Sequence, residues 1–350
     1  AVIMYTSGST GKPKGVVITH RSIVGGIASA DVMLKLSDND IYLAYLPLAH
    51  IMELMVEFVM ISNGCSMCYA DPKSLTTTGA YPIGALEQYG PSLMVAVPKI
   101  WDTIKKGLLA KVSVSPPVAQ VLVHTALAWR AVAVKYGFDT PLFNAIVFKK
   151  FKKAVGGNMR WALSGGGPLN GEVQDFIRVA FGFPLVQGYG LTETCAGLSI
   201  QADDDLRHGI QGVCIPSAEI KLVSTPDVRD KAGLPYLSSD RKDVAGNDVL
   251  GRGEICVRGT HVTSGYYMMP DKTKEEFRED GWFHTGDIGQ FMADGSISIV
   301  DRKKNLIKLK GGEYIAVEKM EMVYGNSDFV DAVAGGICCY GDGDMDRPVA

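Results

Sequence analysis

The chain has 350 residues, 47% of them hydrophobic, and a formal net charge of −3. That is enough apolar material for one large core or two smaller ones, and the near-neutral balance gives no basis for a nucleic-acid partner. Seven cysteines, an odd number, without a secretory signal indicate free thiols in a reducing compartment.

The first predicted elements are two apolar runs, Ala1-Val-Ile-Met and Val16-Val-Ile-Thr-His20, which read as strands. Between them lies Tyr5-Thr-Ser-Gly-Ser-Thr-Gly-Lys-Pro-Lys-Gly15, with three glycines, four Ser/Thr hydroxyls and two lysines. Glycine permits the left-handed angles of a wrapped loop, whose successive N–H groups make a concavity for anions. A polyphosphate suits it, and a solvent-exposed turn is the alternative. A Walker A loop is excluded, because Gly8 and Gly11 enclose only two residues and Pro13 follows Lys12.

The pattern then alternates. A helix is expected over 22–34, capped at Thr19 or Ser22, and a strand over 41–46, followed by a turn that carries His50. An amphipathic helix through Met60, a strand at 66–70, a helix at 81–89, a strand at 92–97 and a helix at 99–109 continue it. Such alternation implies parallel strands with right-handed crossovers. Cys65 and Cys68 form a CxxC, but residues three apart in a strand face opposite ways and no second pair stands at zinc spacing. The stretch 117–155 reads as helical, with Lys149, Lys150, Lys152 and Lys153 around Phe151. Either a solvated face or a membrane-surface contact fits that cluster. Runs 51–70 and 118–134 are too polar or too short to read as membrane spans.

Three further stretches carry possible chemistry. At 159–169 a strand runs into Gly165, Gly166 and Gly167, with Asn170 as a helix cap. In Val186-Gln-Gly-Tyr-Gly-Leu-Thr-Glu-Thr194, Gly188 and Gly190 flank Tyr189, whose ring could stack on a planar ligand. Thr192 and Glu193 are hard oxygen donors of the kind Mg²⁺ takes from a protein, or else an ordinary helix start with Thr192 as cap. In Asp280-Gly-Trp-Phe-His-Thr-Gly-Asp287 the final aspartate could accept two vicinal hydroxyls, or satisfy its own turn. Between these lie expected antiparallel strands at 215–223, 253–259 and 265–267, interrupted by a polar insertion at 225–248. A last strand ends at Asp301-Arg-Lys-Lys304 before a glycine turn.

In order and content these motifs resemble the adenylate-forming (AMP-binding) superfamily, and most closely its long-chain acyl-CoA synthetases. The resemblance implies an α/β fold: a large adenylate-forming domain with parallel-sheet βα layers, a smaller β-rich subdomain and the start of a truncated C-terminal α+β domain. The corresponding segments are 1–205, 206–300 and 301–350. It also implies ATP, Mg²⁺ and CoA as cofactor and co-substrates, with a long-chain fatty acid activated through an acyl-adenylate. On that reading Thr6, Ser7, Gly8, Ser9, Thr10, Gly11 and Lys12 hold the phosphates, and Thr192 and Glu193 the metal. Gly165–Gly167, Gly188, Tyr189 and Gly190 border adenine, and Asp287 and Arg302 reach the ribose. Lys304 falls at an interdomain hinge and His50 near the acyl carboxylate. The family's N-terminal portion and a late lysine that contacts the reacting groups are missing, so this stretch alone is expected to be weakly active or inactive. A carrier-loading adenylation domain and a non-catalytic nucleotide-binding relative remain the alternatives. By the same resemblance the protein would sit on the cytosolic face of the endoplasmic reticulum, mitochondrial outer membrane or peroxisome.

Overall fold

Short, largely apolar runs separated by helices form parallel strands in one part of the chain, and longer runs form antiparallel sheets in another. The computed structural model describes residues 1–350 apart from 7–12, 78, 311–313, 326, 328, 331–335, 342–343 and 346. Two compact units emerge: 34–187 with 202–208, and 1–33 with 188–201 and 209–350. Both are discontinuous along the chain. The N-terminal hairpin explains this: Val16 bridges Tyr266, and the Val17 N–H donates to the Gly265 carbonyl at 2.9 Å.

The 34–187 unit holds parallel strands ordered Ser66–Tyr69, Ile41–Ala44, Leu93–Ala96, Trp161–Ser164 and Leu185–Tyr189, the last leaving the unit after Gln187. All four residues of Leu93–Ala96 are buried, as a strand covered on both faces requires. Helices Pro98–Ser113, Pro117–Tyr136 and Gly171–Phe181 contribute Trp101, Ala126 and Ile177 to one core with Phe148 and Phe181. Pro98 opens its helix at the position where no N–H is needed. Asn170 caps Gly171–Phe181 by accepting the Glu172 N–H at 2.7 Å. The helix expected at 81–89 begins only at Ala85, since Pro82 and Gly84 delay it.

The N-terminal edge of this sheet is fastened by one buried carboxylate. Asp40 takes Arg160 Nε at 2.7 Å and Nη2 at 2.6 Å, the Ser92 hydroxyl at 2.7 Å and the Ser37 N–H at 3.0 Å. Three strand starts, at residues 41, 93 and 161, thereby share one anion. Elsewhere, Tyr42 donates to Glu53 Oε2 at 2.8 Å, and burial pushes the Glu53 carboxyl up to about 7.

In the other unit, Val2–Thr6 pairs antiparallel with Lys14–Ile18, Thr6 opposite Lys14, so the strands around the first loop are as expected. Thr19 and Ser22 cap the helix His20–Met33 reciprocally, each N–H donating to the other's hydroxyl at 3.0 and 3.1 Å. A four-stranded antiparallel sheet follows in the order Ala218–Val223, Val249–Gly259, Phe283–Met292 and Ile297–Arg302. Residues 265–267 are not a strand as expected; they make only the isolated bridge to Val16, because Gly265 turns the chain at φ +126°. The polar insertion is ordered around Arg252, which is buried between Asp230 and Asp240 at 2.7 Å each and stacks on the Tyr236 ring.

The arginine, first, and then the hydroxyl and N–H donors hold the Asp40 carboxyl down at about 2, against an ordinary value near 3.8. Its folded value is depressed, so its contribution is complete above pH 4 and is lost as pH falls towards 2. Arg160 is partly exposed, and the ion pair is discounted accordingly. Asp40→Asn should therefore cost about 1–2 kcal/mol at pH 7. In urea unfolding, the gap from wild type should narrow below pH 4.

Candidate functional site

The turn that presents Thr192 and Glu193 is built against backbone preference. Strand Leu185–Tyr189 ends at Tyr189, and a single 3-10 turn, Thr192–Thr194, follows. Cys195 and Ala196 then both take positive φ, 46° and 69°, uncommon for residues with a Cβ. The Ala196 N–H closes the turn on the Leu191 carbonyl at 3.0 Å, and Thr194 Oγ1 accepts the Leu191 N–H at 2.9 Å. Thr194, not Thr192, therefore does the capping. Gly190 is required by space: a Cβ there would lie 1.8 Å from the Ala196 carbonyl oxygen. The Glu193 carbonyl is fixed by the Thr263 N–H at 2.8 Å.

The Glu193 carboxylate is buried and does not stand alone. Its Oε1 receives the Tyr266 hydroxyl at 2.8 Å, and that same hydroxyl contacts Glu276 Oε2. Lys14 Nζ lies 3.0 Å from the Tyr266 oxygen, 3.1 Å from both Glu276 oxygens and 4.0 Å from Glu193 Oε1. Lys272 adds a second ammonium 3.2 Å from Glu276. Burial and then the Glu193 charge push the Tyr266 phenol far up, so it stays protonated. Burial works to raise Glu276, but the Tyr266 hydroxyl and the two lysines outweigh it, and its carboxyl is held down. Two carboxylates and two ammonium groups leave the cluster balanced.

A second group forms on the antiparallel sheet. Asp287, on Phe283–Met292, stands opposite Arg302 on Ile297–Arg302. Tyr189 donates its hydroxyl to Asp287 Oδ2 at 2.6 Å, and Arg302 Nε lies 3.5 Å from Oδ1. Gly286, at φ +72°, supplies the turn before it, and Thr285 Oγ1 accepts the Asp287 N–H at 3.0 Å. Burial pushes the Asp287 carboxyl up to about 6; Tyr189 and Arg302 oppose that, and the Glu193 charge adds to it. The two groups are thus near enough to sense each other. Tyr189 spends its hydroxyl on Asp287 while its ring is partly exposed against Leu198, Ile255 and Val257.

Thr192, Glu193, Tyr189, Gly188, Gly190, Asp287 and Arg302 therefore lie in one unit, with Thr6 at the end of the hairpin strand. Ser7, Gly8, Ser9, Thr10, Gly11 and Lys12 fall outside the described residues, as does the Lys304 side chain on the turn Lys303–Asn305. Gly165–Gly167 and His50 belong to the 34–187 unit, where both follow C-terminal ends of parallel strands. There the Gly165 N–H donates to the Ala96 carbonyl at 3.1 Å, and a Cβ on Gly165 would sit 3.0 Å from Met52 Sδ. Gly166 takes φ +80°. His50 is exposed and precedes the helix Ile51–Ser62 without a side-chain cap bond. Lys14, Tyr266 and Glu276 were not singled out from sequence. Lys14 stood within the first motif and Tyr266 beside Gly265; Glu276 gave no signal.

The donor set fits a magnesium ion held through a nucleotide: one anchored carboxylate with Oε2 unengaged among the described residues, and the partly exposed Thr192 beside it. Residues 1–267 match the AMP-binding enzyme family. Long chain acyl-CoA synthetase 8 of Arabidopsis thaliana is 41% identical over 95% of this chain and 46% of its own length. Fatty acyl-CoA synthetase B of Dictyostelium discoideum is 37% identical over 98% of this chain and 48% of its own length. The chain thus spans about half the length of the curated relatives it matches. In fold it is similar to O-succinylbenzoate coenzyme A synthetase from Bacillus subtilis in complex with AMP, with a TM-score of 0.68 at 24% identity over 99% of this chain and 57% of that one. With a match running from the hairpin through the Glu193 turn to Tyr267, the chain belongs to the AMP-binding enzyme family.

Proposed function

We propose that the whole protein is a long-chain fatty-acid–CoA ligase and that this chain carries most of its nucleotide site. The observation that carries the reading is the convergence of Glu193 with Lys14 and of Asp287 with Tyr189 and Arg302 within one unit, in a chain 41% identical to a long chain acyl-CoA synthetase. In the first half-reaction a fatty carboxylate oxygen attacks the α-phosphorus of ATP; the bond to the bridging oxygen breaks and pyrophosphate leaves. In the second, the CoA thiol gives up its proton and attacks the acyl carbon, and AMP leaves.

The chain's own residues position charge in both steps, the main lever in phosphoryl chemistry. Ser7, Gly8, Ser9, Thr10, Gly11 and Lys12, with Thr6 beside them, would cradle the departing pyrophosphate. Thr192 and Glu193 would hold Mg²⁺, which when bound neutralises phosphate charge. Asp287 and Arg302 would take the ribose hydroxyls, and Tyr189 with Gly188 and Gly190 would border the adenine. His50 would lie near the acyl carboxylate, and Lys304 at the hinge. Tyr266 and Lys14 act through Glu193, holding one carboxylate oxygen, Oε1, and leaving Oε2 without a partner among the described residues.

In the full-length protein, CoA-dependent AMP release should require a long-chain fatty acid, and Glu193→Ala should lower kcat by about 100-fold or more. Transfer to a carrier protein instead of CoA, or binding of ATP without turnover, would overturn the reading. Tyr266→Phe should lower turnover by about tenfold and raise the magnesium concentration needed for half-maximal rate. Asp287 must be ionised to accept two hydroxyls. In the wild type, adenosine-nucleotide affinity should therefore weaken as pH falls through about 6. Asp287→Asn should bind weakly and without that pH dependence, a contrast calorimetric titration would measure.

A further inference from the structure

Strands Val249–Gly259 and Phe283–Met292 do not pair evenly where the Asp287 turn begins. Glu254 stands opposite Ile288 and Cys256 opposite His284, so Ile255 alone faces Thr285, Gly286 and Asp287. Such a bulge takes backbone groups out of the ladder, and it aims a side chain reliably only when other groups satisfy and fix them. Two side chains do so here. Thr285 Oγ1 donates to the Ile255 carbonyl at 2.8 Å and accepts the Asp287 N–H at 3.0 Å. Glu254 Oε1 accepts the Gly286 N–H at 3.2 Å, at the residue whose φ of +72° makes the turn.

The other oxygen of Glu254 is engaged as well. Its Oε2 lies 3.5 Å from His284 Nδ1, and the Cys256 sulfur lies 3.4 Å from that same nitrogen. Burial, and then the Glu254 charge, push the Cys256 thiol up to about 12, so it stays neutral. The Glu254 and His284 side chains are 13% and 18% exposed, which shields these contacts from most of the solvent. We propose that Glu254 is a positioning residue for the nucleotide: gripping Gly286 from the neighbouring strand, it sets the angle at which Asp287 meets the ribose. It acts through the backbone and not on the ligand. Charge is not its route, because the charges that move the Asp287 carboxyl are those of Arg302, Glu193 and Asp301. What matters is an acceptor oxygen at glutamate's reach. Hydroxyl-to-carboxylate bonds weaken steeply with misalignment, so a loosened Asp287 loses the ribose while the rest of the nucleotide still binds. This inference rests on the ribose reading of Asp287.

The test compares kcat/KM for ATP and 2′-deoxy-ATP in the full-length protein, with palmitate and CoA. The wild type should prefer ATP by about tenfold or more, the worth of one hydrogen bond to a charged group. Glu254→Ala should cut that preference to about threefold or less, through a higher KM for ATP with kcat little changed. Glu254→Gln keeps the acceptor and its reach without the charge, and should retain the preference. Glu254→Asp keeps the charge but falls one methylene short, and should lose it. These two variants decide the matter if Glu254→Ala does not fold. An unchanged preference in Glu254→Ala, or equal losses for the two nucleotides, would overturn the proposal and leave the ribose reading intact. So would a preference kept by Glu254→Asp and lost by Glu254→Gln. A wild type that uses both nucleotides equally would overturn the ribose reading and this inference with it.

Discussion

A phenol has one proton, and at Tyr266 two carboxylates compete for it. Setting the half-buried Glu276 against the same phenol as the buried Glu193 would be costly without compensation, since an unpaired buried charge is among the most expensive features a fold can carry. Lys14 and Lys272 supply that compensation, and the arrangement ties residues far apart in sequence into one unit. The N-terminal hairpin belongs with the chain's second half for this reason as well as through its backbone bridge to Tyr266. In the same stroke Glu193 is oriented before any ligand arrives: Oε1 is held and the turn behind it is locked by Gly190 and Thr194.

The Asp287 group works differently. Its carboxyl is occupied by a partner that can leave, the Tyr189 hydroxyl, and its proton affinity is raised by burial and by Glu193. An incoming diol would exchange one hydroxyl donor for two and draw Arg302 closer, so ligand binding and proton release are coupled there. Glu193 contributes to the Asp287 shift, so neutralising Glu193 with a cation would ease ionisation of Asp287. Metal and nucleoside recognition would then reinforce each other through charge alone.

Much of this was legible in the sequence where glycine fixes geometry. Gly190 after Tyr189, where a Cβ would meet the Ala196 carbonyl, and Gly286 before Asp287, at positive φ, mark positions whose backbone admits little else, so the residues they present could be named. The alternation of strand and helix through 41–109 was legible for the same reason that parallel strands are buried on both faces. The Lys14–Tyr266–Glu276 network was not, because its contacts span some 250 residues and a lysine, a tyrosine and a glutamate carry no local pattern. The buried role of Arg252 was hidden likewise: the polar insertion looked like a surface excursion, yet it folds around a guanidinium. The apolar helix at Pro117–Tyr136 read correctly as helix.

The central claim is that Glu193, held by Tyr266 and Lys14, is where magnesium adds to nucleotide binding. Its most direct test is a thermodynamic cycle: ATP affinity of the full-length protein measured with and without magnesium, in the wild type and in Glu193→Ala. The account predicts that magnesium tightens ATP binding in the wild type and that this gain vanishes in the variant, with metal-free affinity little changed. An equal magnesium gain in both proteins would contradict it.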